Sequence, residues 1–123
     1  GPVEAIIARH PDVRSVAVYA VPDEVVGDQV MAAVVAGPDG FDGKGLAAFL
    51  GEQADLGTKW APRYVRVTEA LPATSTNKVL KRQLRTEGWD VADPVWWREG
   101  RRGEYAVMTA DDAEDLRARF AGR

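Results

Sequence analysis

One lysine stands at the end of a short polar loop in the C-terminal half of the sequence. Four polar residues, Thr74 to Asn77, separate Ala73 from Lys78. Pro72 has a fixed φ angle, and short polar side chains hydrogen-bond to their own backbone, so this stretch favours neither helix nor strand. An ammonium on such a loop can stabilise negative charge in a transition state, although a loop lysine is often simply solvated. The local pattern by itself favours the solvated interpretation.

No other group of residues in the sequence predicts catalysis. The chain has no cysteine and one histidine, which excludes thiolate chemistry and disulfides and argues against a histidine-based metal cluster. Neither a Walker phosphate-binding loop nor a dinucleotide-binding fingerprint is present. We interpret His10 as a structural residue in the last turn of a first helix, where the helix dipole favours it. Lys78 is therefore the catalytic candidate.

Length and composition predict an ordinary globular domain. The chain has 123 residues, 46% of them hydrophobic and 28% charged, which is enough for one modest core. A formal net charge of -3 argues against nucleic acid as a partner, because such partners select a basic surface. The absence of cysteine favours a cytoplasmic protein, and no apolar run is long enough for a transmembrane segment.

Hydrophobic periodicity predicts the elements that position the lysine loop. Alternating apolar residues predict strands that are buried on one or both sides, and apolar residues spaced three or four apart predict one-sided helices. Leu80 and Leu84 are expected to dock the helix after Lys78 on the core. The predicted fold is α+β, with a small central sheet of about three strands at 13–21, 28–37 and 63–67, flanked by helices at 3–10, 42–56 and 79–86.

The C-terminal part of the sequence is a tryptophan-rich extension. Residues 88–103 predict a loop in which three tryptophans lie within nine positions, and the favoured interpretation is that all three pack back on the domain as a buried strap. The alternative is an interface with a missing domain, rimmed by Arg98, Arg101 and Arg102. Thr109 is expected to cap a final helix whose apolar face carries Leu116 and Phe120.

The lysine loop resembles the catalytic-lysine motif of the adenylate-forming enzymes, the superfamily of acyl-CoA synthetases, peptide-synthetase adenylation domains and luciferases. That motif typically reads L-P-x-T-x-[ST]-G-K-[IVL]-x-[KR]-x-x-[LI]-[KR], and this chain reads LPATSTNKVLKRQLR from Leu71 to Arg85. The departure is Asn77 where glycine is usual. Asparagine is the non-glycine residue that best tolerates positive φ, so we expect the turn to survive the exchange.

Two earlier segments carry the same resemblance. Residues 3–13 and 16–30 are similar to the family patterns V-E-x-x-[IL]-x-x-H-P-x-V and A-V-[VI]-G-x-P-D-x-x-x-G-[EQD], with Val26 where the family often has tryptophan. Residues 58–64 are similar to the family segment [YF]-K-x-P-[KR]-x-[VIF], matched at Pro62 and Arg63. In members that use CoA, this last stretch approaches the 3′-phospho-ADP part of CoA. The resemblance thus makes Lys59, Trp60 and Arg63 candidate CoA-binding residues, the alternative being that Trp60 packs at the core edge and Arg63 is solvated.

The resemblance implies a C-terminal lid domain that supplies Lys78 for adenylation of a carboxylic acid. ATP, Mg²⁺ and the acid would bind to the N-terminal adenylation domain of the same polypeptide, and CoA would be the acyl acceptor. Residues 1–87 would form the lid and 88–123 a tail with a final helix, and the isolated chain would be inactive. The tail is loosely similar to that of bacterial fatty acyl-CoA synthetases, which favours a fatty acid as substrate. A carrier-protein-dependent adenylation domain and a stand-alone binding or regulatory module remain the alternatives.

Overall fold

A computed structural model of the chain describes residues 1–57 and 60–122. It contains four helices and five strands within those residues. In chain order these are α1 (Pro2–Ile7), β1 (Val13–Pro22), β2 (Asp28–Ala36), α2 (Leu46–Gly51), β3 (Tyr64–Thr68), α3 (Lys81–Glu87), β4 (Val95–Trp97), β5 (Ala106–Val107) and α4 (Ala110–Ala121). None of the helices within the described residues is long and apolar enough to cross a membrane.

The strands form one mixed sheet in the order β1-β2-β3-β4-β5. β1 and β2 pair as an antiparallel hairpin, and β2 and β3 run parallel with Ala32 opposite Val65. A parallel pair needs a crossover connection, which the segment containing α2 provides. β4 and β5 then extend the sheet in antiparallel pairs. The predicted α+β class is confirmed.

Both faces of the sheet are covered by hydrophobic core. Along β1, Ala17 and Tyr19 belong to one cluster of packed side chains, and Val16 and Val18 pack against a second cluster. Successive side chains of a strand point to opposite faces, so these two clusters lie on the two sides of the sheet. β1 therefore has core on both of its sides, fully buried at Ala17 and Tyr19 and half-buried at Val16 and Val18.

The prediction of about three strands was wrong, because the tail supplies two more. β4 pairs with β3, placing Trp97 opposite Tyr64, and the two rings are stacked with centroids 6.2 Å apart. Trp89 and Trp97 are buried in one core cluster, whereas Trp96 packs, half-buried, against the other. The strap interpretation is thus confirmed, but part of the strap is strand and not loop. The division of the chain at residue 87 stays a prediction.

Several helix predictions need correction at their ends. The helix predicted at 42–56 is α2, only Leu46–Gly51, followed by turns, and the first helix ends at Ile7. His10 therefore lies beyond the helix, where its Nδ1 accepts a hydrogen bond from the Asp12 backbone N–H at 3.1 Å. Its ring is buried against Phe49, with centroids 4.8 Å apart. His10 is structural, as predicted, but it is held by packing and not by a helix terminus.

The two C-terminal helices differ in how well the sequence predicted them. Leu84 of α3 is completely buried, but Leu80 precedes the helix and is 38% exposed, so the expected pair of docking leucines was wrong for Leu80. The Thr109 cap of α4 is confirmed. Its hydroxyl accepts from the Asp112 N–H at 3.0 Å, and the Asp112 carboxylate accepts from the Thr109 N–H at 2.9 Å. Leu116 of α4 is fully buried.

Candidate functional site

The loop that carries Lys78 is a closed hairpin. Ala73 and Val79 form an antiparallel bridge across its base. The Thr74 N–H donates to the Lys78 carbonyl at 2.8 Å, and the Asn77 N–H donates to the Thr74 carbonyl at 2.9 Å. These hydrogen bonds fix the backbone conformation of the turn and therefore the direction in which the Lys78 side chain projects from it.

Asn77 has the backbone conformation that the sequence predicted. Its φ angle is 65°, and it is the one non-glycine residue with positive φ in the described part of the chain. Asparagine tolerates this left-handed conformation better than other non-glycine residues. The Thr74 hydroxyl supports the turn further, because it accepts a hydrogen bond from the Lys78 N–H at 3.0 Å and lies 3.1 Å from the Thr76 hydroxyl. The polar residues before Lys78 thus build its turn.

Lys78 itself is exposed to solvent. No carboxylate among the described residues lies within ion-pair distance of its ammonium. The neighbouring lysine differs, because the Lys81 ammonium is 2.9 Å from a carboxylate oxygen of Glu4. A lysine without a counter-ion, projecting from a fixed turn, is available to an anion supplied from outside the domain.

Contacts beyond the hairpin tie it to the sheet. The Leu80 N–H donates to the Pro72 carbonyl at 2.8 Å, and the Val18 N–H of β1 donates to Glu4 at 2.7 Å. Partial burial acts to raise the pKa of Glu4, but hydrogen bonds from the Gly1 nitrogen, the Val18 N–H and Lys81 outweigh it and lower that pKa below its usual range. Glu4 therefore stays ionised at neutral pH and holds the first turn of α3 against β1.

Arg63 lies immediately before β3 and is only 6% exposed. Its two terminal nitrogens donate to the two oxygens of Glu24 at 2.6 and 2.9 Å, and one also contacts Glu99 at 3.3 Å. The hydrogen bond from Arg63 is the largest cause that lowers the pKa of Glu24. The alternative interpretation, a solvated Arg63, was therefore wrong. The contact of Arg63 with CoA stays a prediction. Its guanidinium is already hydrogen-bonded to the carboxylates of Glu24 and Glu99.

The sequence did not predict the charge cluster that surrounds Arg63. Arg119 of α4 donates to both oxygens of Glu99, at 3.0 and 2.7 Å, and approaches Glu24 at 3.3 Å. The hydrogen bond from Arg119 is the largest cause that lowers the pKa of Glu99. No sequence signal could have joined Glu24 to Arg119, because they are 95 positions apart. The cluster connects the final helix to the turn between β1 and β2.

The two other candidate CoA-binding residues, Lys59 and Trp60, precede Arg63 in the sequence. The Trp60 side chain is 50% exposed, and its two predicted roles, packing at the core edge and contact with CoA, both stay predictions. Lys59 lies outside the described residues. Arg63 precedes β3 at the end of the sheet that carries the β1–β2 turn, whereas the Lys78 hairpin follows the other end of β3. The structure therefore does not bring Lys78 and Arg63 together into one site.

No metal site accompanies these residues in the described ranges 1–57 and 60–122, since they contain no group of three or more His, Asp or Glu side chains that could hold a metal ion. The candidate residues in the described ranges are positively charged side chains, which can bind and stabilise anionic groups. Lys78 provides an exposed ammonium on one segment, and arginines are concentrated where the tail meets the start of β3.

Comparison with known proteins identifies relatives over most of the chain. The chain is 53% identical over 120 residues to a steroid-22-oyl-CoA synthetase of Rhodococcus jostii, covering 96% of this chain and 22% of that protein. It is 58% identical over 96 residues to a medium/long-chain-fatty-acid–CoA ligase of Mycobacterium tuberculosis, covering 77% of this chain and 19% of that protein. The chain thus spans about a fifth of the length of these two relatives.

Solved structures agree with these relatives. A fatty acyl-CoA synthetase of Mycobacterium tuberculosis matches with a TM-score of 0.62 and 33% identity, covering 69% of this chain and 16% of that one. An amide bond synthetase of Marinactinospora thermotolerans matches with a TM-score of 0.62 and 36% identity, covering 73% of this chain and 18% of that one. The family model of the AMP-binding enzyme C-terminal domain matches residues 2–78. The chain therefore belongs to the family of AMP-binding enzyme C-terminal domains.

Proposed function

We propose that this chain is the C-terminal lid of an AMP-forming acyl-CoA ligase and that Lys78 supplies the positive charge for adenylation. The observation that carries the proposal is an exposed ammonium without a counter-ion, on a hydrogen-bonded turn at the end of the family match. In adenylation a carboxylate oxygen of the acid bonds to the α-phosphorus of ATP and pyrophosphate leaves, so negative charge accumulates on the phosphate oxygens in the transition state. An ammonium placed there reduces the repulsion and stabilises the transition state.

The whole protein would use ATP, CoA and a carboxylic acid as substrates. Two relatives above 50% identity are named for steroid-22-oyl and for medium- or long-chain fatty acyl products. We infer a substrate of this class, a hydrophobic acid with a long chain or a steroid ring system. The residues that select the acid would lie in the N-terminal adenylation domain, the proposed partner of this chain within the same polypeptide, as would those that hold Mg²⁺.

The arrangement of the candidate residues fits a lid that acts in two steps. The Lys78 hairpin follows the C-terminal end of β3, whereas the proposed CoA-binding stretch with Trp60 precedes its N-terminal end. A rigid domain in one orientation therefore cannot present the hairpin and the CoA-binding stretch equally well to one active site. Five residues of strand span roughly 16 Å. A rotation of the domain between adenylation and thioester formation would withdraw the Lys78 hairpin from the active site and bring the CoA-binding stretch to it.

The test separates the two half-reactions in the full-length ligase. We expect Lys78→Ala to abolish most acyl-adenylate formation from ATP and acid, and to spare thioester formation from supplied acyl-adenylate and CoA. Lys44→Ala is the matched control, because Lys44 is an exposed loop lysine outside the hairpin. Equal loss of both half-reactions in the Lys78 variant, or loss of neither, would refute the proposed role.

A different acyl acceptor is the second candidate, favoured by the likeness to an amide bond synthetase at 36% identity. Such an enzyme would form the same adenylate but pass the acyl group to an amine. Supplying the full-length enzyme with the acid, ATP and either CoA or a set of amines distinguishes the two. Thioester as the dominant product supports the ligase, and amide as the dominant product supports the second candidate.

A further inference from the structure

A cleft of about 330 Å³ lies between the end of α2 and the tail. Its apolar lining includes Ala47, Leu50, Ala54 and Leu56, and two arginines of the tail, Arg98 and Arg101, also line it. None of the described residues that line this cleft is acidic. The cleft therefore combines an apolar surface with uncompensated positive charge, which suits a ligand that has a flat apolar part and an anionic part.

The Arg98 guanidinium is held in place by neutral groups. One of its terminal nitrogens donates to the Gly103 carbonyl at 3.1 Å, and the guanidinium lies over the Tyr105 ring, 4.5 Å from the centroid. The Tyr105 hydroxyl in turn donates to the Pro62 carbonyl, which fixes the ring. The Nε of Arg98 is buried without a hydrogen-bond partner in the described structure. Arg98 is thus oriented in advance for a ligand.

Arg98 also differs from the other partly buried arginines in its charge environment. It has no carboxylate within ion-pair distance among the described residues, whereas each of the others does. A half-buried cation without an anion is unfavourable, and binding an anion relieves this cost. The arginines that already have carboxylate partners include Arg63, Arg66 and Arg119.

A smaller pocket of about 120 Å³ adjoins the cleft and shares Arg98 and Arg101 with it. Asp28 and Glu99 also line this smaller pocket. Glu99 is engaged by Arg119 at 2.7 Å, but the exposed Asp28 would repel an anion there. The favourable position for an anionic group is therefore on the side of the two arginines that faces the larger cleft.

We propose that Arg98 and Arg101 hold a phosphate of the CoA nucleotide, with its base against the apolar wall of the cleft. This inference rests on the proposed function for the identity of the ligand. It assigns the phosphate contact to two residues of the tail, outside the family match that ends at residue 78, and leaves Arg63 as the partner of Glu24. Guanidinium groups bind phosphate through paired, charge-assisted hydrogen bonds, which an apolar neighbourhood strengthens.

The test is a titration of the chain with adenosine 3′,5′-bisphosphate, followed by amide shifts in NMR spectra. We expect shifts at residues of the cleft wall, and a dissociation constant about tenfold weaker in Arg101→Ala, as for the loss of one charge-assisted interaction. Arg102→Ala is the matched control, because Arg102 is an exposed neighbour that does not line the cleft. Inorganic phosphate alone should bind more weakly than the bisphosphate, since it cannot use the apolar wall.

Three results would overturn the inference. They are an absence of shifts at the cleft wall at millimolar bisphosphate, equal weakening by Arg101→Ala and Arg102→Ala, and inorganic phosphate binding as tightly as the nucleotide. Because Arg101 is exposed, its replacement leaves the fold intact, and the Arg98→Gln variant provides a second measurement of the same contact.

The outcome is independent of the role of Lys78. Lys78→Ala should leave bisphosphate binding unchanged. If the Lys78→Ala ligase also forms acyl-adenylate at the normal rate, the proposed role of Lys78 is rejected, whereas the bisphosphate site stands. In the full-length ligase, Arg101→Ala should raise the KM for CoA about tenfold and leave acyl-adenylate formation unchanged. A loss of adenylation in this variant, with KM for CoA unaltered, would count against the inference.

Discussion

Asn77 offers a quantitative test of how the turn positions Lys78. Its φ of 65° lies in the left-handed region, where the β-branched side chain of valine clashes with the backbone. A residue with a Cβ pays roughly 1–2 kcal/mol in this conformation relative to the right-handed one, and asparagine and glycine pay less. In the described structure the Asn77 side chain makes no hydrogen bond that a substitution would remove. Asn77→Val should therefore destabilise the closed hairpin through backbone strain alone.

The expected effect is local opening of the hairpin. A cost of 1–2 kcal/mol raises the population of the open form by about 5- to 30-fold. Native-state hydrogen exchange measures this opening at the Thr74 and Asn77 amides, which are bonded across the turn. Asn77→Gly is the control, because glycine adopts positive φ without strain. The hairpin amides of this variant should exchange within a fewfold of the wild-type rate. Exchange in Asn77→Val at the wild-type rate would refute the argument that φ at this residue sets the turn.

Three further predictions concern the interior and the charge cluster. Glu24→Gln should lower the free energy of unfolding by about 3 kcal/mol, because Arg63 would remain buried with weaker counter-charge, and urea unfolding measures the change; a loss below 1 kcal/mol would contradict it. The pKa of Asp23 is lowered from 3.8 to about 2, chiefly by the hydrogen bond from Gln29. The stability that this ionised carboxylate contributes above pH 4 should therefore be lost as the pH falls from 4 towards 2. Asp23→Asn should reduce the dependence of the free energy of unfolding on pH in this range. Tyr64→Phe should leave stability unchanged or raise it by up to about 1 kcal/mol, since the buried hydroxyl has no hydrogen-bond partner in the described structure; a marked drop in melting temperature would show that the hydroxyl is satisfied in solution.

The sequence predicted those parts of the fold that local patterns determine. Alternating apolar residues located β1 and β3, and a continuous run rich in Val and Ala located β2, each within about one residue at each end. It did not predict β4 and β5, which have three and two residues. Strands this short have no periodicity of their own and exist because β3 offers a free edge with Tyr64 opposite Trp97. Tertiary pairing, which a linear pattern does not contain, decided these elements.

The candidate site divides in the same way. Lys78 and the positive φ of Asn77 could be predicted, because residue types and their spacing describe a local turn. The environment of Arg63 could not, since it depends on carboxylates from the β1–β2 turn and from the tail, and on an arginine of the last helix. The orientation of Arg98 by Tyr105 likewise arises only after the tail folds against the start of β3. Contacts between distant segments carried the information that the sequence lacked.

The central claim is that a positive charge at position 78 drives adenylation, and restoring that charge chemically tests it most directly. The chain contains no cysteine, so Lys78→Cys introduces a single thiol into this domain. Alkylation of the full-length variant with 2-bromoethylamine creates a side chain that closely resembles lysine, and iodoacetamide creates a neutral one of similar length; alkylated wild type controls for thiols elsewhere. We predict that acyl-adenylate formation is lost in Lys78→Cys, recovers after aminoethylation and does not recover after treatment with iodoacetamide. Equal activity after the two treatments would contradict the account.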